Sequence, residues 1–393
     1  MKYKPDQIQT HEIKDATLEV GKFSKKVVHV AAGAPAASND TGEGYEQGSI
    51  WVDSTNGDMY VCTDHSAEDA SWANMEGDDI NPPFTLQGST YGFYVGGDGP
   101  VRSDKVTRLT FAAPNDASDQ AEMIGHRTNL FKGSCRNETH SFITGGYTYP
   151  GYGSNPGGRY DQIERMSLTA PYAGADVGEM TLARDLGSSL TDGTKALLVG
   201  GTGGSPAVRQ DVIEQFTLGG SPITASDTSS ELSGASRAHA GVSDSASAKG
   251  YIAGGTSPPG STFDTIEGVP IGIAPGGSTS DYGELSSAWQ GGGGSQSSTH
   301  GYIMGGYSPS ATDNIEKYPF GTSGSVTDVG EMSQAMGNPA GCQGPSNIFI
   351  LGGISNPGVT QNRIDKFSYP SDANASDVGN LVDALHYGYG TEV

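Results

Sequence analysis

The chain has 393 residues, of which 45 are acidic and 22 are basic, so its formal net charge is −23. This excess of negative charge argues against binding to nucleic acid or to anionic membranes, because both require a basic surface. Hydrophobic residues make up 34% of the chain and 60 glycines bring that fraction near half, as in a folded protein. No apolar run approaches the ~20 residues that a transmembrane helix needs, so we expect no membrane insertion.

The first eighty residues differ from the rest and predict a separate module, residues 1–80. Its first twenty residues lack an apolar run, so we expect no secretion signal of the usual kind. Val27–Ala32 predicts a strand. Farther on, Ser49–Asp53 and Asp58–Cys62 flank Asn56-Gly57, a pair that favours a tight hairpin turn because both residues tolerate positive φ.

The sequence of this hairpin resembles a module found in other proteins. GSIWVDSTNGDMYVC (48–62), followed by Trp72, resembles a small β-module of bacteriophage tail-fibre and other virion proteins. There such modules precede or connect larger receptor-binding or structural domains. The alternative interpretation is a generic β-hairpin with two aromatic core residues.

Residues 84–393 contain a repeat. Six apolar stretches each end in a glycine pair, and successive pairs are 47 to 55 residues apart. A period of this length is typical of solenoids and propellers, whose units bury their apolar faces only against neighbours. The pairs are Gly96 and Gly97, Gly145 and Gly146, Gly200 and Gly201, Gly254 and Gly255, Gly305 and Gly306, and Gly352 and Gly353.

A second segment recurs after each glycine pair, as in DQIERMSL from Asp161 and DNIEKYPF from Asp313. Its apolar residues are three apart rather than two, so we expect it to bury both faces between sheets. Together with the glycine pairs, this I-E-x-F/Y segment resembles the kelch repeat over roughly Gly88 to Val393. The resemblance implies an all-β fold: a six-bladed kelch-like β-propeller. The kelch tryptophan of the fourth strand is replaced by Asp-Val-Gly-Glu, as at Asp176 to Glu179.

The ends of the chain predict how the ring closes. The first repeat begins at Tyr91 and lacks the strand that should precede it, whereas Leu385 to Gly390 occupies the place of that strand after the sixth repeat. We therefore expect the C-terminal strand to complete the first blade and to remove an open sheet edge.

Repeated charged residues have a structural and a functional interpretation. Glu122, Glu179, Glu231, Glu284 and Glu331 precede or adjoin Met or Leu once per repeat, and Arg follows at Arg127, Arg184 and Arg237. A ring of carboxylates could bind cations, but we favour backbone capping or pairing with these arginines, since buried charges need partners.

No catalytic constellation is recognisable. The sequence has no HxH or HExxH pair, no GxSxG and no P-loop, and Cys62, Cys135 and Cys342 have no metal-ligand spacing. We expect isolated buried thiols, no metal, no cofactor and no catalytic residues.

One loop has the composition of a binding surface. Tyr147, Tyr149, Tyr152 and Tyr160, with Arg159, follow the second glycine pair. Tyrosine faces suit stacking on sugars or docking of another subunit. The alternative is that these rings pack against the next blade or the N-terminal module.

These features predict a non-enzymatic bacteriophage structural protein, a tail fibre, knob or decoration of the virion that assembles in the host cytoplasm. The N-terminal module would bind other virion proteins, and the propeller would contact a host-surface glycan or other parts of the particle. We also expect a homo-oligomer. The alternatives are a cellular kelch-type interaction scaffold and a carbohydrate-active propeller enzyme.

Overall fold

A computed structural model describes residues 28–55, 58–67, 70–74, 84, 86–100, 102–113, 115–150, 157–220, 222–324, 326–369 and 371–393. The chain divides into two compact units, Met1–Pro83 and Phe84–Val393. Over the described ranges the secondary structure is strand and turn, with one short 3-10 helix, Thr41–Glu43, and no α-helix. The protein is therefore all-β.

The described part of the first unit is a four-stranded sheet in chain order. Its strands are β1 (Val28–Ala31), β2 (Ile50–Asp53), β3 (Met59–Asp64) and β4 (Ser71–Asn74). β1 runs parallel to β2, and the other pairs are antiparallel. The expected β2–β3 hairpin is confirmed, while its Asn56-Gly57 tip lies outside the described residues.

One face of this sheet carries an aromatic core. Trp51, Tyr60 and Trp72 are buried with Tyr45, and the Tyr45 and Trp72 rings meet edge to face with centroids 5.2 Å apart. The indole N–H of Trp51 donates to the Gly33 carbonyl at 2.9 Å. A small unit thus obtains a core from a few large rings whose polar atoms are hydrogen-bonded.

The second unit is built from consecutive antiparallel sheets. Its first half contains β5 (Tyr91–Val95), β6 (Lys105–Thr110), β7 (Ser118–Glu122), β8 (His140–Thr144), β9 (Tyr147–Thr148), β10 (Gly158–Arg159), β11 (Gln162–Ser167), β12 (Gly174–Glu179), β13 (Arg184–Asp185), β14 (Ser188–Thr191), β15 (Lys195–Val199), β16 (Thr202–Gly203), β17 (Val208–Thr217), β18 (Ile223–Thr224) and β19 (Ser226–Ser236). Here β8, β11 and β12 form a sheet to which β18 adds in parallel, and β13 to β17 with β19 form the next.

The second half continues the pattern with β20 (Ala240–Asp244), β21 (Lys249–Ala253), β22 (Thr256–Ser257), β23 (Ser261–Thr262), β24 (Thr265–Pro270), β25 (Ser280–Glu284), β26 (Gly293–Gln296), β27 (His300–Met304), β28 (Asn314–Pro319), β29 (Thr327–Glu331), β30 (Ala340–Gln343), β31 (Asn347–Ser355), β32 (Val359–Ser368), β33 (Ser376–Asn380) and β34 (Tyr389–Glu392). Three four-stranded sheets are β20-β21-β24-β25, β26-β27-β28-β29 and β30-β31-β32-β33. Repeated sheets of this kind give a β-propeller-like fold.

The C-terminal strand pairs with the first strand of this unit, in the order β34-β5-β6-β7. The expected pairing is present, but it uses Tyr389–Glu392 rather than Leu385 to Gly390. Leu385 is buried, and Tyr387 has φ 58°, a turn conformation that cannot continue a strand. The prediction was therefore about four residues early.

Five glycine pairs follow β5, β8, β15, β21 and β27, the sixth lies within β31, and these positions require glycine. Gly145 has φ 59°, and a Cβ there would lie 2.5 Å from the Arg184 carbonyl oxygen. The N–H of the following residue, Gly146, donates to that same carbonyl at 2.9 Å. Close approach of backbone from the next repeat thus excludes any side chain.

The apolar core lies between neighbouring sheets. Phe93 on β5 packs with Ile143 and Met166 of the following sheet, whereas Tyr94 packs with Phe349 and Ile364 of the last one. Adjacent residues of a strand point to opposite faces, so each sheet contributes to two such cores. The expectation that the I-E segments bury both faces is confirmed in β11, where Ile163, Glu164 and Met166 are all buried.

Buried carboxylates link one sheet to the next. Each stands in the I-E strand of its sheet and accepts a backbone N–H, at 2.8 to 3.5 Å, from the residue two after the repeated glutamate of the preceding sheet. The pairs, donor first, are Ile124 to Glu164, Thr181 to Glu214, Ser233 to Glu267, Ser286 to Glu316 and Ser333 to Asp365. Donors so placed compensate the cost of burying each carboxylate.

The expected pairing of Glu122, Glu179, Glu231, Glu284 and Glu331 with arginines is wrong. All five are exposed, and the buried guanidinium groups of Arg127 and Arg184 form ion pairs with Glu164 and Glu214 instead. An outer strand ends at the sheet edge, where solvent already satisfies its glutamate. The I-E segments lie between sheets, where a charge needs a protein partner.

Candidate functional site

Six left-handed residues line one face of the second unit and form what we call the inner ring. Their φ values lie between 55° and 72°, and all except Asn129 stand two residues before the first residue of a strand. The members are Asn129, Leu186, Ala238, Gly291, Asn338 and Tyr387. Successive members are hydrogen-bonded, each N–H donating to the carbonyl of the member before it at 2.6 to 3.3 Å, and the N–H of Leu130 donates to Tyr387 at 3.4 Å.

A cavity of about 550 Å³ opens at the inner ring, and we call it the mouth cavity. This volume is in the range of small-molecule sites, roughly 300 to 1,000 Å³. Four inner-ring residues and several loop residues line it. They include Leu186, Arg237, Ala238, Gln290, Tyr307, Asn338, Ile354, Asn356, Pro357 and Tyr387. The mixture of amides, hydroxyls, a guanidinium and apolar surface suits a polar organic ligand.

Tyr387 is one of the two tyrosines in this lining. Burial raises its pKa, an effect opposed by Arg237 and by a hydrogen bond with the side chain of Asn338. The hydroxyl therefore remains protonated at neutral pH and is a hydrogen-bond donor as well as an acceptor. Asn338 is itself buried, so the pair is a fixed polar feature of the cavity wall.

Arg237 enters the cavity because it is one residue out of register with the other two repeat arginines. The N–H groups of Gly97, Gly146 and Gly201 donate at 2.9 to 3.0 Å to the carbonyls of Arg127, Arg184 and Ser236 respectively. Ser236, and not Arg237, therefore holds the position of the buried arginines. A shift of one residue in an extended segment turns the side chain to the opposite face.

Tyr147 and Tyr149, on what we call the tyrosine loop (residues 147–160), are not among the residues that line the mouth cavity. The rings of Tyr147 and Tyr149 meet edge to face with centroids 4.7 Å apart, and the Arg102 guanidinium lies 3.9 Å from the Tyr149 ring centre. Tyr149 is 38% exposed. Of the other predicted site residues, Arg159 pairs with Asp185 at 2.8 Å, and Tyr152 lies outside the described residues.

Tyr160 has a different environment from its neighbours in the loop. Its ring centre lies 5.7 Å from the guanidinium carbon of buried Arg127, and its side chain hydrogen-bonds Thr148. Tyr160 therefore fits the packing alternative, whereas Tyr149 keeps an accessible face.

A lysine occupies the region below the inner ring. Lys132 is buried, and its Nζ donates to the carbonyls of Gly291 and Gly292 at 3.1 Å each. Burial lowers its pKa to about 7. Gly294 and Gly341 lie beside it, where added Cβ atoms would be 2.1 Å and 2.5 Å from backbone oxygens of neighbouring sheets. Close-packed backbone and the Lys132 amino group thus occupy this region, which is separate from the mouth cavity.

Within the described ranges, no group of three or more His, Cys, Asp or Glu side chains is placed to hold a metal ion. Cys62, Cys135 and Cys342 are buried free thiols. A search of the described part found no helix long and apolar enough to cross a membrane.

Comparison with known proteins gives a likeness of fold. No protein-family model matches the sequence, and no curated protein matches it. The solved structure of YjhT aligns with a TM-score of 0.54 and 12% sequence identity, covering 75% of this chain and 99% of YjhT. At that identity the likeness shows the fold alone, which is β-propeller-like.

Sequence reasoning missed most residues of the mouth cavity, although the repeat contained a signal for them. Gln290 stands one residue after Trp289, Asn338 two after Met336, and Tyr387 two after Leu385. Those three apolar residues hold the position of Arg127 in their repeats, since their carbonyls accept the N–H groups of Gly255, Gly306 and Gly353. Reading the next two positions of every repeat would have gathered the polar residues that line the cavity.

Proposed function

We propose that residues 84–393 form a six-bladed kelch-like propeller closed by its C-terminal strand, and that it is the non-enzymatic ligand-binding part of a bacteriophage virion protein. The observation that carries the binding role is the mouth cavity, which is lined by hydrogen-bonded polar groups such as the half-buried Tyr387 and the buried Asn338. Preformed sites with a few fixed polar groups bind small ligands well, because little ordering accompanies binding.

Two independent observations support six blades. Six glycine pairs recur in the sequence, and six left-handed residues join in the inner ring. A propeller whose central hydrogen bonds return from the last repeat to the first leaves no open edge at its axis.

The virion assignment rests on the N-terminal module. Its sequence resembles modules of tail fibres, and its described residues form a compact sheet with its own aromatic core. We propose that this module binds other virion proteins, that the chain assembles as a homo-oligomer, and that the propeller presents the mouth cavity to a host-surface glycan.

The test is adsorption of particles that carry altered full-length protein. Gln290→Ala and Tyr307→Ala remove cavity side chains, and we expect adsorption to host cells to fall while the protein's copy number per particle is unchanged. Gln120→Ala, on outer strand β7, is the matched control. Normal adsorption by both cavity variants would reject the glycan-binding role, and absence of the protein from purified particles would reject the virion assignment.

A further inference from the structure

Two arginines beside the mouth cavity have no acidic partner. Arg237 lines the cavity, and Arg209 lies at the base of the neighbouring loop, opposite Thr202 in the β16–β17 pair. The Arg237 guanidinium donates to the Thr202 hydroxyl at 3.3 Å. Among the described residues, no ion pair includes either arginine, and the Nε atom of each is buried without a hydrogen-bond partner.

Most other arginines of the same unit are neutralised, although Arg108 and Arg165, which do not line the cavity, also make no ion pair among the described residues. Arg102 pairs with Asp98 at 3.3 Å and Arg159 with Asp185 at 2.8 Å, both on loops that follow glycine pairs. Arg127 and Arg184 have Glu164 and Glu214. A chain with 45 acidic residues does not lack carboxylates to place near Arg209 and Arg237. Arg209 and Arg237 combine a missing counter-charge with a place at or beside the mouth cavity.

The two guanidinium groups are close enough to repel each other. Burial lowers the pKa of Arg209, and so does the neighbouring charge of Arg237. Two partly buried positive charges repel each other in the ligand-free protein, which raises its free energy. A bound anion removes this repulsion and accepts hydrogen bonds from both guanidinium groups. Guanidinium groups bind planar or tetrahedral oxyanions through paired N–H donors, which makes them suited to carboxylate and phosphate.

We propose that Arg209 and Arg237 bind an oxyanion, a carboxylate or phosphate, carried by the ligand of the mouth cavity. This inference rests on the proposed binding function and deepens it, because it specifies an acidic glycan. The anion lies at the arginine pair, of which Arg237 lines the cavity and Arg209 lies opposite Thr202, the residue that Arg237 contacts. The Tyr387 hydroxyl and the side chains of Asn338 and Gln290 face the neutral, hydroxyl-bearing remainder of the ligand.

The first test uses inorganic sulfate on the full-length protein, with sodium chloride at equal ionic strength as reference. Sulfate stabilises proteins generally, so the measured quantity is the difference between variants. We expect wild type to gain more in Tm than Arg209→Gln or Arg237→Gln does. Arg165→Gln removes an arginine of β11 that makes no contact with the cavity and should behave as wild type. An equal gain in all four proteins would overturn the proposal.

The second test identifies the chemical source of the anion by calorimetric titration with glucose, glucuronate and glucose 6-phosphate. We expect at least one acidic sugar to bind about tenfold more tightly than glucose, the effect of one charge-assisted hydrogen bond, and Arg237→Gln to abolish the difference. Preference for glucuronate assigns a carboxylate, and preference for glucose 6-phosphate a phosphate. Equal affinity for all three, or no binding of any, contradicts the proposal.

Failure of this inference differs from failure of the adhesion proposal. If Gln290→Ala particles lose adsorption while the sulfate effect is independent of both arginines, the propeller binds a neutral ligand and only the anion site is rejected. If the arginine-dependent effect is present but adsorption is normal in every cavity variant, the anion site stands and its ligand is not a host glycan.

Discussion

The contacts between sheets and the mouth cavity use the same residue types in opposite ways. Between sheets, Arg127 and Glu164 are both completely buried and each satisfies the other's charge. At the mouth, Arg237 comes from the equivalent part of its repeat, yet it makes no ion pair among the described residues. A shift of one residue separates the two outcomes. Register within the repeat, rather than composition, decides whether a charged residue stabilises the fold or remains for a ligand.

The contacts between sheets also differ among themselves. Five carry a buried carboxylate that accepts an N–H from the preceding sheet, but at the contact between the last and first sheets that strand position is occupied by Thr107. There Lys105 pairs with Asp383 at 2.7 Å, partly exposed to solvent. Partly exposed ion pairs stabilise little, usually below about 1 kcal/mol. Stability at the closing contact must therefore come from the apolar core between the last and first sheets and from strand β34.

The largest expected effect is at this closing contact. Deletion of residues 384–393 removes β34, including Tyr389, which is buried and whose hydroxyl accepts the N–H of Cys135 at 2.7 Å. It also exposes the edge of β5. We expect the truncated protein to lose cooperative thermal unfolding and to aggregate, as measured by calorimetry and light scattering. Val382→Ala, an exposed position just before the deletion, should unfold as wild type. A truncated protein that remained monomeric with an unchanged Tm would show that closure contributes nothing.

A smaller effect is expected at one contact between sheets. Glu164→Gln leaves the Arg127 guanidinium buried without its counter-charge, and breaking such a pair typically costs about 3 to 5 kcal/mol of the free energy of unfolding. Glu179→Gln is the matched control, because Glu179 is exposed and belongs to the set first expected to pair with arginines. Chemical denaturation measures both. Equal losses in the two variants would mean that the pair adds no stability.

Part of the fold, but not the mouth cavity, could be predicted from the sequence. Glycine pairs and apolar strands were predictable, because close backbone approach and period-two burial impose residue types at every repeat. The partners of the arginines could not be predicted, because the loops between repeats differ in length and hide a shift of one residue. In the sequence Arg237 therefore aligns with Arg184. Nor could the mouth cavity be predicted, because Gln290, Asn338 and Tyr387 differ in type and become neighbours only when the inner ring brings the repeats together.

A third prediction concerns Lys132, which lies between the two regions. Its pKa is lowered to about 7 in the folded protein, against about 10.4 for an ordinary lysine. Between these values the unfolded chain holds the proton and the folded protein does not, so stability must rise as pH rises from 7 to 10. Lys132→Met should remove this dependence. The difference in unfolding free energy between wild type and variant should grow by at most about 1.4 kcal/mol per pH unit. A difference that stays constant from pH 7 to 10 would mean that the ammonium keeps its proton.

The smallest effect is expected at the edge of the mouth, where a ring contributes contact surface and little to the fold. Tyr149 is 38% exposed, and its described partners are the Tyr147 ring and the Arg102 guanidinium. A cation–π contact at an exposed site contributes about 0.5 to 1 kcal/mol, so Tyr149→Ala should lower the free energy of unfolding by no more than that. Tyr389→Ala, which empties a buried site of the same residue type, should cost several times as much, since large-to-small changes in cores cost about 3 to 5 kcal/mol. Denaturant titration of the two variants measures both costs. Equal costs would mean that the tyrosine loop is part of the folded core, and the face of Tyr149 would then be structural rather than free for a ligand.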